Sequence, residues 1–360
     1  MTVKVAHVAP IFSTVPPQGY GGVERVIEEL TATQVSIPDG DLDVVVVASS
    51  DSRPSAPTVG RHESIRGRMP PPTLDETFDE LRRHYLWAYE VADELGVDIV
   101  HLHGPWGLEY RPETETVGRP VVVSIYDDTR RPDVTDPLLS VSAPFHLVAN
   151  SESQRAKAPF VPWYDVVLEG IVPARYPFQK VKGDYCCFVG ELVHDKGLDI
   201  AIDVAAAAGV PLKVIGRPKM LDVPQALVDE QQAYLDRVLR PRLGRSVEYL
   251  GELGEERLAV LGGAMALLAP ARAEEPFGRV SAEAMACGTP VISFAYGSTP
   301  EIVDHGVSGF SVTTADEMVE ALRRAPTLDP GACRAHVERV LDMDRVAHSY
   351  GRIYRSLVGG

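Results

Sequence analysis

The sequence predicts an α/β protein of two doubly wound, Rossmann-like domains, and three observations carry that reading. The chain has 360 residues, more than one ordinary hydrophobic core accommodates and about right for two domains. Short apolar runs alternate with helix-like segments from end to end. KVAHVAP, DVVVVAS, DIVHLH, PVVVSIY and HLVAN stand in the first half, and YCCFVG, PLKVIG, VEYLG, AMALLAP and TPVISF in the second. These runs are continuously apolar rather than alternating, the pattern of parallel strands covered on both faces by helices. Ten such runs are too many for one sheet of ordinary size.

The domain boundary is expected in EGIVPARYPFQKVKGDY, residues 169–185, which has two prolines, little helical pattern and a fresh strand directly after it. The domains are therefore read as 1–175 and 176–342, with a closing segment 343–360 whose DRVAHSYGRIYRSL has helical spacing. Residues 51–73, rich in Pro, Gly and Arg, are expected to be a long loop near a domain edge. In sheets of this class ligands bind beyond the carboxyl ends of the strands, so those ends should line a cleft between the domains.

Composition narrows the function. With 45% hydrophobic and 24% charged residues the chain reads as a soluble globular protein. Its net charge of −16 lacks the basic footprint that nucleic acid or an anionic membrane requires. Arg53, Arg61, Arg66, Arg68, Arg82 and Arg83 make one locally basic region, read as a solvated face. A small anion needs only a few N–H groups and cations, so the charge does not argue against one. No apolar run approaches the ~20 residues of a membrane-spanning helix. The N-terminus enters a strand pattern without a cleavage site, so a cytoplasmic protein without integral membrane association is expected. Cys186, Cys187, Cys287 and Cys333 form no disulfide or metal-type pattern and are read as buried free thiols in a reducing compartment.

Three stretches could carry chemistry. PQGYGGVERVIEEL follows the first strand and opens a helix. Gly19, Gly21 and Gly22 would let the backbone approach an anion there, or merely join strand to helix. It is not the dinucleotide fingerprint. VGELVHDKGLDIAI occupies the corresponding place in the second half, with Lys196 beside Gly197 ahead of a helix. Third, APARAEEPFGRVSAEAMACGTPVISF reads strand end, loop, helix, glycine stop and strand. Glu275 precedes its helix and Glu283 lies inside it. Their backbones should stand roughly 8–12 Å apart, wider than the ~5–5.5 Å between the carboxyls of a retaining glycosidase. A ligand spanning the two, with the N–H groups of Phe277 to Val280 on a diphosphate, fits better than an acid/base couple. Helix caps or solvated charges are the alternative. His101 and His103 are read as pointing to opposite faces of their strand, which argues against a metal pair. His103 is then the cleft candidate, and GPWGLEY, with Trp106, and FVPWYD offer aromatic faces for a sugar or act as loop anchors.

EPFGRVSAEAMACGTPVI resembles the E-x7-E signature of retaining family-4 glycosyltransferases of the GT-B fold. GGVER, DIVHLH, VVVSIYD, VANSESQR, EGIVPARY, GELVHDKG, VEYLGEL and GSTPEIVDHGVSGF fall in that family's order, so the resemblance spans nearly the whole chain. It implies two Rossmann-like domains facing each other across a cleft, the first on the acceptor side and the second holding the donor. The closing helix would cross back to the first domain. The implied reaction moves a hexose-type sugar from a nucleotide diphosphate to a hydroxyl with retention, without cofactor or catalytic metal. UDP is the favoured carrier on family frequency, GDP the alternative.

By motif position, the resemblance has Glu283 hold the ribose hydroxyls and Glu275 the donor sugar. Phe277, Gly278, Arg279 and Val280 would line sugar and diphosphate, with Lys196 on the phosphates and Gly21 and Gly22 closing from the other domain. Gly216, Arg217 and Leu250 would border the base. Glu275, Tyr126, Asp127 and Lys196 form the catalytic set, and His103, Trp106 and Asp128 the acceptor candidates. A soluble small-molecule or saccharide acceptor is expected. The chain departs from the family twice. Gly190-Glu191 replaces the usual Gly-Arg, setting a carboxylate where a phosphate cation is expected; either another cation, such as Arg217 or Arg279, substitutes for it, or Glu191 points elsewhere. Tyr126 replaces a histidine before Asp127, and could equally be a plain strand-end aromatic. The competing reading is a weak or inactive sugar-nucleotide binding or regulatory protein on the same fold.

Overall fold

The computed structural model describes residues 2–19, 21–37, 41–65, 68, 72–110, 117–217, 225–244 and 246–359. The chain divides into two compact units, Met1–Gly170 with Met343–Gly360, and Ile171–Asp342.

The first unit runs β1 (Val3–Val8), α1 (Gly22–Ser36), β2 (Leu42–Ala48), β3 (Thr58–Gly60), α2 (Leu74–Glu94), β4 (Ile99–His103) and α3 (Trp106–Glu109). It continues β5 (Val121–Ile125), α4 (Pro132–Leu139), β6 (Phe145–Ala149), α5 (Glu152–Lys157) and β7 (Trp163–Val166). The strands form one parallel sheet in the order β3-β2-β1-β4-β5-β6-β7. Their side chains alternate between two cores. Ala6, Val8, Val47, Val100, Leu102 and Val123 pack with Leu81 and Tyr85 of α2. Val44, Val46 and Ala48 pack with Ile27 of α1 on the other face.

Residues 51–73 are not wholly loop, because β3 pairs with β2 inside them. Serine hydrogen bonds pin the excursion. The Ser55 N–H and hydroxyl donate to Glu28 of α1 at 3.0 and 2.6 Å, and those of Ser64 donate to Asp51 at 3.0 and 2.6 Å. Of the basic region, Arg66 lies outside the described residues, and Arg68 is paired with Glu80 at 2.7 Å.

The second unit runs β8 (Cys186–Val189), α6 (Leu198–Ala208), β9 (Leu212–Ile215), α7 (Gln225–Val238), β10 (Val247–Tyr249), α8 (Arg257–Gly263) and β11 (Ala266–Ala269). Then come α9 (Arg279–Ala286), β12 (Val291–Phe294), α10 (Thr299–Ile302), β13 (Gly309–Val312), α11 (Ala315–Arg324) and α12 (Pro330–Val340). Its sheet is also parallel, ordered β10-β9-β8-β11-β12-β13. The four cysteines are buried and free. Beneath the C-terminal ends of α8 and α9, Lys182 donates to the carbonyls of Gly262 and Cys287 and to Thr289 Oγ1, at 2.8, 3.2 and 3.0 Å. Burial lowers its pKa to about 8.

The closing helix, α13 (Met343–Val358), belongs to the first unit. Met343, Val346, Ala347, Tyr350, Ile353 and Tyr354 recur at three- and four-residue spacing and are buried. Among the described residues, no helix is long and apolar enough to cross a membrane.

Candidate active site

In the second unit the strand ends converge on one polar centre. After β8 the chain makes a single 3-10 turn, His194–Lys196, closed by Gly197 at φ 74°. A Cβ at Gly197 would lie 2.0 Å from the Pro270 carbonyl oxygen, so only glycine lets the turn seat against the loop after β11. Arg272 fastens that contact. Its backbone N–H donates to Asp195 O at 2.6 Å, and its guanidinium reaches His194 O at 2.8 Å and both oxygens of Asp199 at 2.8 and 2.6 Å. Burial alone would raise the Asp199 pKa, but the hydrogen bonds from Arg272 and Tyr234 bring it down to about 2.

The clamped turn presents Lys196, whose ammonium forms a direct ion pair with Glu275. Glu275 Oε2 would lie 3.1 Å from a Cβ at Gly278. Gly278 is the N-cap of α9, left-handed at φ 79°, and no side chain caps the helix there. A cation, a carboxylate and an open helix N-terminus therefore meet at one point, and the N-terminus favours an anionic ligand. The neighbouring pocket is lined by Glu275, Phe277, Gly278, Ser281, Tyr296 and Thr299, among others.

Glu283, five residues into α9, is set differently. It is 3% exposed. It faces Arg257 at 3.0 Å and Arg279 at 3.4 Å, and accepts from the Tyr176 hydroxyl at 3.3 Å.

The ends of β8, β9 and β10 are stitched together. Leu192 N–H donates to Arg217 O at 2.9 Å, Gly216 N–H to Gly251 O at 2.9 Å and Leu250 N–H to Val214 O at 2.9 Å. A Cβ on Gly216, at φ 153°, would meet Gly190 O at 1.8 Å. Of the two arginines named as substitute cations, Arg217 pairs with Glu252 at 3.4 Å and Arg279 with Glu283 at 3.4 Å.

In the first unit the carboxyl ends of β4 and β5 carry the remaining candidates. The reading of His101 and His103 on opposite faces is corrected. Residues two apart in a strand share a face, and the two rings stack at 4.2 Å. His7 of β1 sits beside His101 in the ladder, so three imidazoles cluster with ligand-type atoms within 4.8 Å of one another. Their nitrogens are largely engaged. His7 Nδ1 bonds His103 Nε2 at 3.0 Å and His103 Nδ1 bonds the Tyr126 hydroxyl at 2.9 Å. His101 Nδ1 and Nε2 meet the Tyr354 and Ser124 hydroxyls at 2.6 and 2.7 Å. Burial holds all three histidines neutral, His7 at a pKa of about 3, and pushes the Tyr126 hydroxyl well above its usual value.

His103 is 1% exposed and its Nδ1 contacts Tyr126, which is half-buried. The Asp127 carbonyl accepts from Gln154 Nε2 at 2.9 Å. Asp128 holds Arg130, at 2.8 Å. Burial would raise its pKa, but the Arg130 hydrogen bonds bring it below the ordinary value. Trp106 packs on Phe12 and Phe78, 6.0 and 5.9 Å between ring centres, in the manner of a loop anchor. At the start of α1, a Cβ on Gly21 would lie 2.6 Å from Pro17 Cβ, whereas one on Gly22 would meet nothing within 4 Å.

The family model "Glycosyl transferases group 1" matches residues 177–334 and the model "Glycosyltransferase Family 4" residues 20–158. The chain belongs to the family-4 glycosyltransferases. Glycogen synthase from Mycobacterium tuberculosis is 29% identical over 233 residues, 61% of this chain and 54% of that protein. D-inositol 3-phosphate glycosyltransferase from Mycolicibacterium smegmatis is 34% identical over 179 residues, 46% of this chain and 39% of that protein. The chain thus spans about half the length, or less, of these curated relatives. Among solved structures, Anabaena HepE in complex with UDP and glucose superposes with a TM-score of 0.73 at 17% identity, covering 99% of this chain and 100% of that one. The two parallel-sheet units of this glycosyltransferase are those of the GT-B fold.

Several residues around the candidate site escaped the sequence reading. Arg257 and Tyr176 hold Glu283; Arg257 lies in a helix outside the quoted stretches, and Tyr176 closes EGIVPARY, where it was given no role. Arg272 and Asp199, which fix the Lys196 turn, are joined across 73 positions. His7 was quoted only as part of a strand, although its histidine inside an apolar run was a visible signal.

Proposed function

We propose that this glycosyltransferase moves a hexose-type sugar from a nucleotide diphosphate sugar, UDP-linked in preference to GDP-linked, to a hydroxyl of a soluble small-molecule or saccharide acceptor. The anomeric configuration is retained and no catalytic metal takes part. The observation that carries this reading is the meeting of Lys196, Glu275 and the uncapped N-terminus of α9. Lys196 and the helix N-terminus neutralise the departing diphosphate, a job of fixed charges and dipoles that needs no protein nucleophile. Glu275 receives the sugar hydroxyls, Glu283 the ribose, and the stitched loops around Gly216, Arg217 and Leu250 the base. Asp127 orients the acceptor, with Tyr126 at the sugar. The complex of HepE with UDP and glucose supports the choice of donor.

A thermal-shift series with UDP-, GDP- and dTDP-sugars tests the donor. Binding to the native state alone adds about 2.7 kcal/mol of apparent stability at a hundred times Kd. Silence from every nucleotide sugar overturns the proposal. Proton NMR of the product reads its anomeric configuration, and turnover in excess EDTA reads the metal requirement. Glu191 favours a second reading, a binding protein with little turnover, since it sets a negative charge near the strand end that should receive phosphate. UDP-glucose binding without hydrolysis or transfer over a broad acceptor panel would select that reading.

A further inference from the structure

We infer that the small cavity beside Glu275 is a subsite for one hydroxyl of the transferred sugar, and that Ser293 is the residue that recognises it. The inference rests on the proposed place of the sugar at Glu275 and adds to it a means of choosing between sugars.

Strand alternation places the serine. Ile292 of β12 joins the core that Leu198 and Ala201 of α6 and Met318 and Leu322 of α11 build on one face of the second sheet. Ser293 therefore faces the other side, where α9 packs against β11 and β12. It is 3% exposed, and its hydroxyl makes no hydrogen bond. A buried hydroxyl costs free energy until it finds a partner. Ser293 lines a cavity of about 20 Å³ whose wall also carries Glu275, Gly278, Ser281 and Thr299. A single water-sized oxygen needs about 10–15 Å³, so there is room for one hydroxyl and none for an acetamido group.

The polar atoms around the cavity suit a hydroxyl. Lys196 holds Glu275 through Oε1. Glu275 Oε2 is the oxygen turned to Gly278, 3.1 Å from where its Cβ would be, with Ser281 Oγ 3.8 Å from the same point. A hydroxyl seated here accepts from Ser293 and donates to the Glu275 carboxylate, so both of its functions are used.

The walls are fixed before any ligand arrives. Ser298 Oγ donates to Phe277 O at 2.7 Å, Ser298 N–H to Glu275 O at 3.1 Å, and the Tyr296 hydroxyl to Ala271 O. A Cβ on Gly297 would lie 2.9 Å from Glu275 O, so the loop after β12 is laid directly on the loop that carries Glu275. A rigid site built to bond a substrate hydroxyl rejects the analogue that lacks it, because its own buried group is then left unpaired.

Calorimetric titration of wild type and Ser293→Ala with UDP, UDP-glucose and the 2-, 3-, 4- and 6-deoxy forms of UDP-glucose tests this. Ser293→Ala should bind UDP-glucose about tenfold more weakly, the worth of one hydrogen bond, and UDP as wild type does. For one of the four deoxy forms the two proteins should bind alike, and for the other three the tenfold gap should persist. The melting temperature of ligand-free Ser293→Ala should be no lower than that of wild type, since alanine removes an unmet polar group. A gap that persists for all four deoxy forms, a gap that extends to UDP, or a marked fall in the ligand-free melting temperature overturns the subsite in favour of a structural role for the hydroxyl. Normal binding of UDP-glucose by Ser293→Ala overturns this inference alone. If wild type binds neither UDP nor UDP-glucose, the donor reading itself has failed and the subsite falls with it.

Discussion

Lys196 and Glu275 form an ion pair at the N-terminus of α9, and both side chains are about one-third exposed, at 33% and 32%. Two opposite charges that neutralise each other in solvent contribute little to folding, with exposed pairs worth about 0–1 kcal/mol. Their fixed placement comes from elsewhere: the Arg272–Asp199 clamp, the glycine contact at Gly197 and the seating of Glu275 against Gly278. A pair held in place by other contacts, and itself adding little stability, is suited to exchanging partners when a charged ligand arrives.

Lys196→Met and Glu275→Ala should therefore separate activity from stability. Each is expected to lower kcat for UDP-glucose turnover by about 10²–10³-fold, the usual cost of removing one group that stabilises developing charge. Each should leave the unfolding free energy within about 1 kcal/mol of wild type. Paired kinetic and urea-denaturation measurements check this. A variant that keeps its turnover would remove that residue from the site.

Glu283 should behave in the opposite way. It is buried between Arg257 and Arg279, so Glu283→Ala leaves two guanidinium groups facing each other without their carboxylate. Removing one partner of such a buried pair costs about 3–5 kcal/mol. The thermal midpoint of Glu283→Ala should fall well below that of Glu275→Ala. Similar midpoints for the two would show that Glu283 is not structurally bound to its arginines.

The buried histidines set an acid limit on the first unit. Burial lowers the pKa of His7 to about 3 and that of His84 to about 4. In the unfolded chain each should titrate near 6.5. Their folded pKa values are depressed, so below pH 6.5 the unfolded state binds protons that the native state refuses, and stability falls with pH. The loss is about 2 kcal/mol per histidine by pH 5. Denaturation midpoints should drop from pH 7 to pH 5, and His84→Gln should flatten that slope. An unchanged slope would mean that other groups carry the acid sensitivity.

The strands that escaped the sequence reading are β3, β7 and β13, and each is at the edge of its sheet. An edge strand has one neighbour and needs no unbroken apolar run. Thr58–Gly60 is largely exposed, and Trp163–Val166 is exposed at its two central residues. The inner strands announced themselves because both faces are covered. The site divides along a similar line. Lys196, Glu275 and Glu283 lie in contiguous motifs and were legible. Arg257, Tyr176, Arg272 and His7 reach their partners through tertiary packing, and no spacing within the sequence names those partners. The face of His101 and His103 was misjudged against the two-residue period of a strand, and that period is what unites them with His7.

Glycines allow a last separation of ligand contact from packing. At Gly216 an added methyl would strike the Gly190 carbonyl oxygen at 1.8 Å, in a backbone region that side chains avoid. Gly216→Ala should destabilise the second unit by more than the ~1 kcal/mol typical of an ordinary glycine replacement at an incompatible angle, and should weaken UDP binding as a consequence. Gly22 opens α1 and has free space where its Cβ would go. Gly22→Ala should leave the protein as stable as wild type or more so, by up to about 1 kcal/mol from helix propensity. If the backbone there must approach the donor, the same methyl raises KM for UDP-glucose while the fold improves. A Gly22→Ala enzyme with higher stability and unchanged KM would remove the start of α1 from the donor site.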